Sequence, residues 1–134
     1  MDWKLELVVV PVTDVDRAKR FYSEQVGFVV DHDTRISDEM RIVQLTPPGS
    51  ACSIALGTGL GASAPGSVRG LQLVVSDIEA ARTALVAGGV AVSTIQHFDN
   101  GVPAEGRGGD WNSFIFFSDP DGNSWTVQEA PARD

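Results

Sequence analysis

"LVVVPVTDVDRAKRFYSEQVGFVV", Leu7 to Val30, and "GLQLVVSDIEAARTALVAGGVAV", Gly70 to Val92, are two copies of one pattern. Val12-Thr13-Asp14-Val15-Asp16 aligns with Val75-Ser76-Asp77-Ile78-Glu79. Each copy reads as an apolar strand, a capped helix start, a short helix, a glycine and a second strand. Thr13 or Asp14, and Ser76 or Asp77, are of the type whose side chains accept from the free N–H groups of a first turn. Asp16 and Glu79 fall in that turn, where the helix dipole favours negative charge. Gly27 and the Gly88-Gly89 pair suit helix ends. Val15, Ala18, Phe21, Tyr22 and Val26 recur at helical spacing, as do Ile78, Ala81, Leu85 and Val86, so each helix has one apolar face.

The correspondence extends outward. "RIVQLTPPGSACSIAL" in the first half matches "SFIFFSDPDGNSWTVQE" in the second. Each is a strand, a Pro/Gly turn and a strand. The chain is therefore expected to be α+β, with two tandem β-α-β-β-β modules over residues 4–57 and 69–129. A Gly, Ala and Ser-rich linker, residues 58–68, would join them. The polar stretch "HFDNGVPAEGRGGD", His97 to Asp110, reads as a long loop. Helices covering one side of a sheet leave its other face free to curve around a ligand.

Bulk properties narrow the function. At 134 residues and 43% hydrophobic the chain is expected to fold as one small globular domain. Ten basic against eighteen acidic residues, net charge −8, speak against nucleic acid and anionic membranes as partners and suit a basic ligand. Cys52 is the only cysteine and sits in an apolar run, so it reads as a core residue in a reducing, cytoplasmic setting. No leader or membrane span is expected.

The ordered set "VPVTDVDRAKRFYSEQVGF", "LVVSDIEAAR" and "DPDGNSWTVQE" resembles the vicinal oxygen chelate superfamily. That group includes glyoxalase I, extradiol dioxygenases, and fosfomycin and bleomycin resistance proteins. The resemblance spans Lys4 to Glu129 and implies a cupped mixed sheet with its helices outside, often completed in a homodimer, sometimes by exchange of modules. It also implies four ligands to a divalent metal, drawn from His, Glu or Gln on the first and fourth strands of each module.

Counting seven residues back from Asp14 and Asp77 gives Leu7 and Gly70. Counting four forward from Gly49 and Gly122 gives Ser53 and Thr126. None is a good metal ligand. The expectation is a metal-free pocket without cofactor; the alternative is an atypical metal site using His32, His97, Asp31, Asp33 or Asp99. By strand alternation the cup face carries Leu7, Val9, Gln44, Ser53, Gly70, Gln72, Ser124, Thr126 and Gln128. Trp111, Phe98 and Phe114 are candidates for an aromatic wall.

Neutral amides and hydroxyls beside apolar side chains fit a small-molecule site. The favoured reading is a protein that sequesters a small organic molecule, as in antibiotic resistance of the bleomycin-binding type. The alternative is an enzyme (isomerase, lyase, hydrolase or dioxygenase-like) in degradation or secondary metabolism. Its proton-moving candidates are His32, His97, Glu6 and Asp99.

Overall fold

The computed structural model describes residues 1–58, 60 and 63–131. Of the linker expected at 58–68, residues 59, 61 and 62 lie outside the described residues. The chain divides into two compact units. The first is Met1–Val68 together with Asp119–Asn123, and the second is Arg69–Ser118 with Ser124–Asp134.

In the first unit, strand β1 (Leu7–Val9) leads into helix α1 (Val15–Arg20), which continues as a π-helical segment, Phe21–Val26. Strands β2 (Val29–Ser37), β3 (Met40–Thr46) and β4 (Ser53–Thr58) follow. The sheet order is β1-β4-β3-β2, with β1 and β4 parallel and the other pairs antiparallel. Asp14 caps α1 by accepting from Arg17 N at 3.0 Å, and Gly27 ends the helix at φ 95°. Val15, Ala18, Phe21 and Tyr22 are buried, and so are Val43, Leu45, Ile54 and Leu56 of the sheet. Tyr22 stacks on Phe28 with ring centroids 5.7 Å apart and meets Phe21 edge-on at 5.1 Å.

The turn Asp119–Asn123 belongs to this unit through its contacts. The buried Asp119 carboxylate accepts from Tyr22 Oη at 2.7 Å and from Asn123 Nδ2 at 2.8 Å. It also accepts from the backbone N–H groups of Asp121 and Asn123 at 3.0 and 2.9 Å. Asn123 Nδ2 reaches the Pro11 carbonyl as well, and Asp121 Oδ1 takes both the N–H and the hydroxyl of Thr13. The sequence reading treats this turn as a strand connector; here it is also a fixed part of the first unit.

In the second unit, strand β5 (Leu71–Val75) leads to helix α2 (Ile78–Ala87), then β6 (Gln96–Asp99), β7 (Val102–Glu105), β8 (Phe114–Ser118) and β9 (Ser124–Glu129). The order is β5-β9-β8-β6-β7, with β5 and β9 parallel. Asp77 caps α2 by accepting from Ala80 N at 3.0 Å. Ile78 and Leu85 are buried, but Val86 is half exposed, because the helix turns that position away from the sheet. Trp125 lies flat against Phe117, centroids 6.0 Å apart. Such a pair adds about 0.5–1.5 kcal/mol to the burial of its area.

The fold is thus α+β with a repeated module, as the sequence predicts, its strands laid out in two mixed sheets. One expectation is corrected. The stretch from His97 is not a plain loop: β6 and β7 form a hairpin whose turn residues, Asn100 and Gly101, both have positive φ, 52° and 79°. Asn-Gly is the preferred pair for such a two-residue turn. The second module therefore carries one strand more than the first.

Candidate functional site

Each sheet has one helix-covered face and one open face, and the register shows which residues share them. In the second unit, Phe114 pairs with Gln128, Phe116 with Thr126, Gln72 with Thr126 and Val74 with Gln128. These six share the face opposite Ile115, Phe117, Trp125 and Val127, all of which are buried. None of these six is charged; Glu105, which pairs with Gln96 at the β7 edge, is the charged residue the register adds to this face. Gln72 Nε2 donates to Gln128 Oε1 at 2.7 Å, and Gln128 Nε2 donates to the Trp111 carbonyl at 2.8 Å. Phe114 stacks on Phe116 at 6.3 Å and meets Phe98 edge-on at 5.3 Å. Trp111 is 47% exposed and holds a left-handed backbone, φ 63°, uncommon for a side chain of its size.

In the first unit the open face carries Leu7, Val9, Gln44, Thr46, Ser53 and Ala55. Leu7 pairs with Ser53, while Val9 and Gln44 both pair with Ala55. Strand β2 breaks register between Val30 and His32, which leaves Asp31 as the extra residue of a bulge. Its carboxylate reaches Gln44 and Thr46. Asp31 Oδ2 accepts from Thr46 Oγ1 in a short bond, and from Gln44 Nε2 at 3.3 Å. Gln44 Nε2 also lies 3.4 Å from Ser53 Oγ, and the Thr46 and Ser53 hydroxyls are 2.7 Å apart. Ser53 is buried.

Asp33, two residues on, serves the helix side. It bonds Lys19 Nζ at 2.8 Å and both Nε and Nη2 of Arg41, at 3.0 and 2.8 Å. Arg41 Nη1 continues to Asp16 at 2.8 Å. The hydrogen bonds from Arg41 and then Lys19 hold the Asp33 carboxyl well below the usual carboxylate range. In the second unit, Glu129 pairs with Arg107 and accepts from Ile78 N at 2.9 Å; the Arg107 guanidinium foremost, then that N–H, depress its carboxyl.

The proton-moving candidates fall two in each unit. Glu6 is exposed just before β1, and its carbonyl accepts from Ser53 N. His32 is exposed and pairs with Gln44. His97 alternates away from Phe98, and its Nδ1 donates to the Gly106 carbonyl at 2.9 Å. Asp99 closes β6 beside the Asn-Gly turn. Thr46 and Phe116 are missed by the sequence reading, although alternation from Gln44 and Phe114 places them on the same faces.

The metal positions can be tested by register. Ile54 pairs with Leu45 as Trp125 pairs with Phe117, all four buried. The connection in the first unit is one residue longer, so the counterpart of Thr126 is Ala55, and Ser53 corresponds to Ser124. Leu7 and Gly70 each precede the residue that pairs with Ile54 and Trp125, and so remain equivalent. Gly70 has φ 83°, a conformation a ligand-bearing side chain would strain. Leu7, Ala55, Gly70 and Thr126 include no carboxylate, imidazole or amide, so the donor set does not fit a divalent cation. Among the described residues no three His, Cys, Asp or Glu side chains stand together as a metal-holding group, and no helix is long and apolar enough to cross a membrane.

Comparison with known proteins sets this geometry among relatives. A family model described as "Glyoxalase/Bleomycin resistance protein/Dioxygenase superfamily" matches residues 4–127. The structure of TnmS3, an antibiotic binding protein from Streptomyces sp. CB03234, is 32% identical with a TM-score of 0.77, over 96% of this chain and 97% of that one. A glyoxalase/bleomycin resistance protein from the same Streptomyces is 33% identical with a TM-score of 0.74, over 93% and 99%. A member of the glyoxalase/bleomycin resistance protein/dioxygenase superfamily from Sphaerobacter thermophilus DSM 20745 is 27% identical with a TM-score of 0.74, over 96% and 98%. Among curated proteins nothing matches.

Proposed function

The chain belongs to the glyoxalase/bleomycin resistance protein/dioxygenase superfamily, and from that premise we propose that it is a binding protein that sequesters a small organic molecule without a metal ion. The observation that carries this reading is the uncharged patch on the open face of the second sheet. There the Phe98, Phe114 and Phe116 rings adjoin Thr126, Gln72 and Gln128. Rings supply apolar contact area and a stacking surface. The amides and hydroxyl supply the few directional contacts that orient a largely apolar ligand. The likeness to an antibiotic-binding protein at 32% identity supports binding as the role. Within the second unit the candidate bases His97 and Asp99 alternate away from that face, and His97 Nδ1 is engaged by the Gly106 carbonyl, which favours holding over turnover.

The test is a titration of purified protein with a panel of polycyclic aromatic natural products, followed by Trp fluorescence. Mass spectrometry of the released compound accompanies it. The expected result is saturable binding, recovery of the compound unchanged, and at least tenfold weaker binding in Phe114→Ser. Conversion of a panel compound at catalytic protein concentration would move the assignment to the enzymatic branch of the superfamily.

A further inference from the structure

The open face of the first sheet holds a carboxylate, that of Asp31, beside Gln44 and Thr46. Val29 pairs with Thr46 and Val30 with Leu45, so alternation along β2 places residue 31 on the side of Thr46, the open face. The bulge between Val30 and His32 brings His32 opposite Gln44 and leaves Asp31 out of the ladder, with its carboxylate on Gln44 and Thr46. Bulges are over-represented next to functional sites.

The two neighbouring aspartates are treated in opposite ways. Asp33 is matched by Lys19 and Arg41, and Asp16 by Arg41. Asp31 has no basic partner among the described residues. Both of its hydrogen bonds are made by Oδ2, from a hydroxyl and an amide, so Oδ1 is left as an open acceptor. The side chains that orient it are themselves fixed: Thr46 and Gln44 both contact the buried Ser53 hydroxyl. Leu7 and Val9 add exposed apolar surface on the same face.

We infer that Asp31 is the anchor for a protonated amine on the ligand, with the Asp31 carboxylate oxygen Oδ1 taking the ammonium and Leu7 and Val9 the adjoining hydrocarbon. The inference rests on the binding reading above and adds the ligand's chemical class to it. A fixed, uncompensated carboxylate favours a cation because a charge-assisted hydrogen bond is roughly twice as strong as a neutral one. Its pre-set orientation lowers the ordering cost of binding. One carboxylate beside an engaged hydroxyl and an engaged amide is too few donors for a divalent ion, which takes at least four to six ligands.

The experiment uses the whole chain and a matched probe pair, naphthylethylamine and naphthylethanol, titrated calorimetrically at pH 7 in low salt. The ammonium compound is expected to bind about tenfold tighter than the alcohol. Asp31→Asn should abolish that preference while leaving the alcohol's affinity unchanged. Glu39→Gln, which removes the same unit of charge from the exposed β2–β3 turn, should keep it, and this separates a local anchor from general steering by net charge. Thr46→Val, which keeps the carboxylate but frees it to rotate, should lose part of the preference. Equal binding of amine and alcohol to the unaltered protein, or a preference that survives Asp31→Asn, overturns the anchor and leaves the binding reading standing. Failure of both probes to bind at millimolar concentration overturns the two together.

Discussion

Asp119→Ala should be among the most damaging single substitutions in this chain. The carboxylate is buried and receives four donors: Tyr22 Oη, Asn123 Nδ2 and the N–H groups of Asp121 and Asn123. Alanine leaves the Tyr22 hydroxyl without this acceptor in a side chain with no exposed surface, and strips the turn of its side-chain bonds. A hydrogen bond to a charged group contributes about 1.5–3 kcal/mol, and stranding a buried polar group costs about 1–3 kcal/mol. Asn123 Nδ2 keeps the Pro11 carbonyl, and the Asp121 N–H is only part-buried, which tempers the loss. The expected loss is therefore about 4 kcal/mol, a large share of the ~5–15 kcal/mol typical of a domain.

Urea unfolding followed through the buried Trp125 reads it directly. With a slope of about 1.5 kcal/mol/M, the midpoint should fall by about 2–3 M at unchanged slope. Tyr22→Phe alone should cost about 1.5 kcal/mol. In the Asp119→Ala background the same change should cost little, or restore a little stability, because the Asp119 acceptor is already gone. A full Tyr22→Phe penalty in that background, or a loss under 1 kcal/mol for Asp119→Ala, would refute the role given to this carboxylate.

Gly66→Ala should cost at least ~2 kcal/mol, since φ is 77° and the new Cβ would stand 2.1 Å from the Asp121 carbonyl oxygen. Gly49→Ala, at φ 85° with open space around it, should lose only the ~1 kcal/mol of the backbone term, and thermal melting of the two variants measures the difference. Asp33 predicts an acid-side effect. Its carboxyl lies lower folded than unfolded because of Arg41 and Lys19. Its contribution is therefore complete above about pH 4, the unfolded range, and drains away as pH falls toward the folded value. Asp33→Asn should flatten the loss of stability between about pH 4 and 2 by on the order of 1 kcal/mol; an unchanged acid slope would remove the Arg41–Asp33–Lys19 cluster from the account.

The architecture was legible because its signals are local and doubled. Asp14 and Asp77 cap as their side chains require, and alternation assigns Trp125 and Val127, or Ile54 and Leu56, to the helix side. The β6–β7 hairpin was legible too, in Asn100-Gly101, but Gly and polar residues on either side masked the short strands. Finer features of the site were not. The Asp31 bulge adds one residue to a strand of ordinary composition, and only pairing with β3 exposes it. The same holds for the extra residue between Leu45 and Ile54. Counting from Gly49 lands on Ser53, whereas register identifies Ala55. The π-helical segment Phe21–Val26 likewise keeps apolar spacing compatible with an ordinary helix.

The bond from Tyr22 to Asp119 joins residues 97 positions apart. During synthesis the amino-terminal half must leave the ribosome and wait, at roughly 5–20 residues per second, for several seconds before its acceptor emerges. Until then the Tyr22 hydroxyl has water in place of the carboxylate. A nascent chain halted before Asp119 should accordingly remain open to proteases that the finished molecule resists.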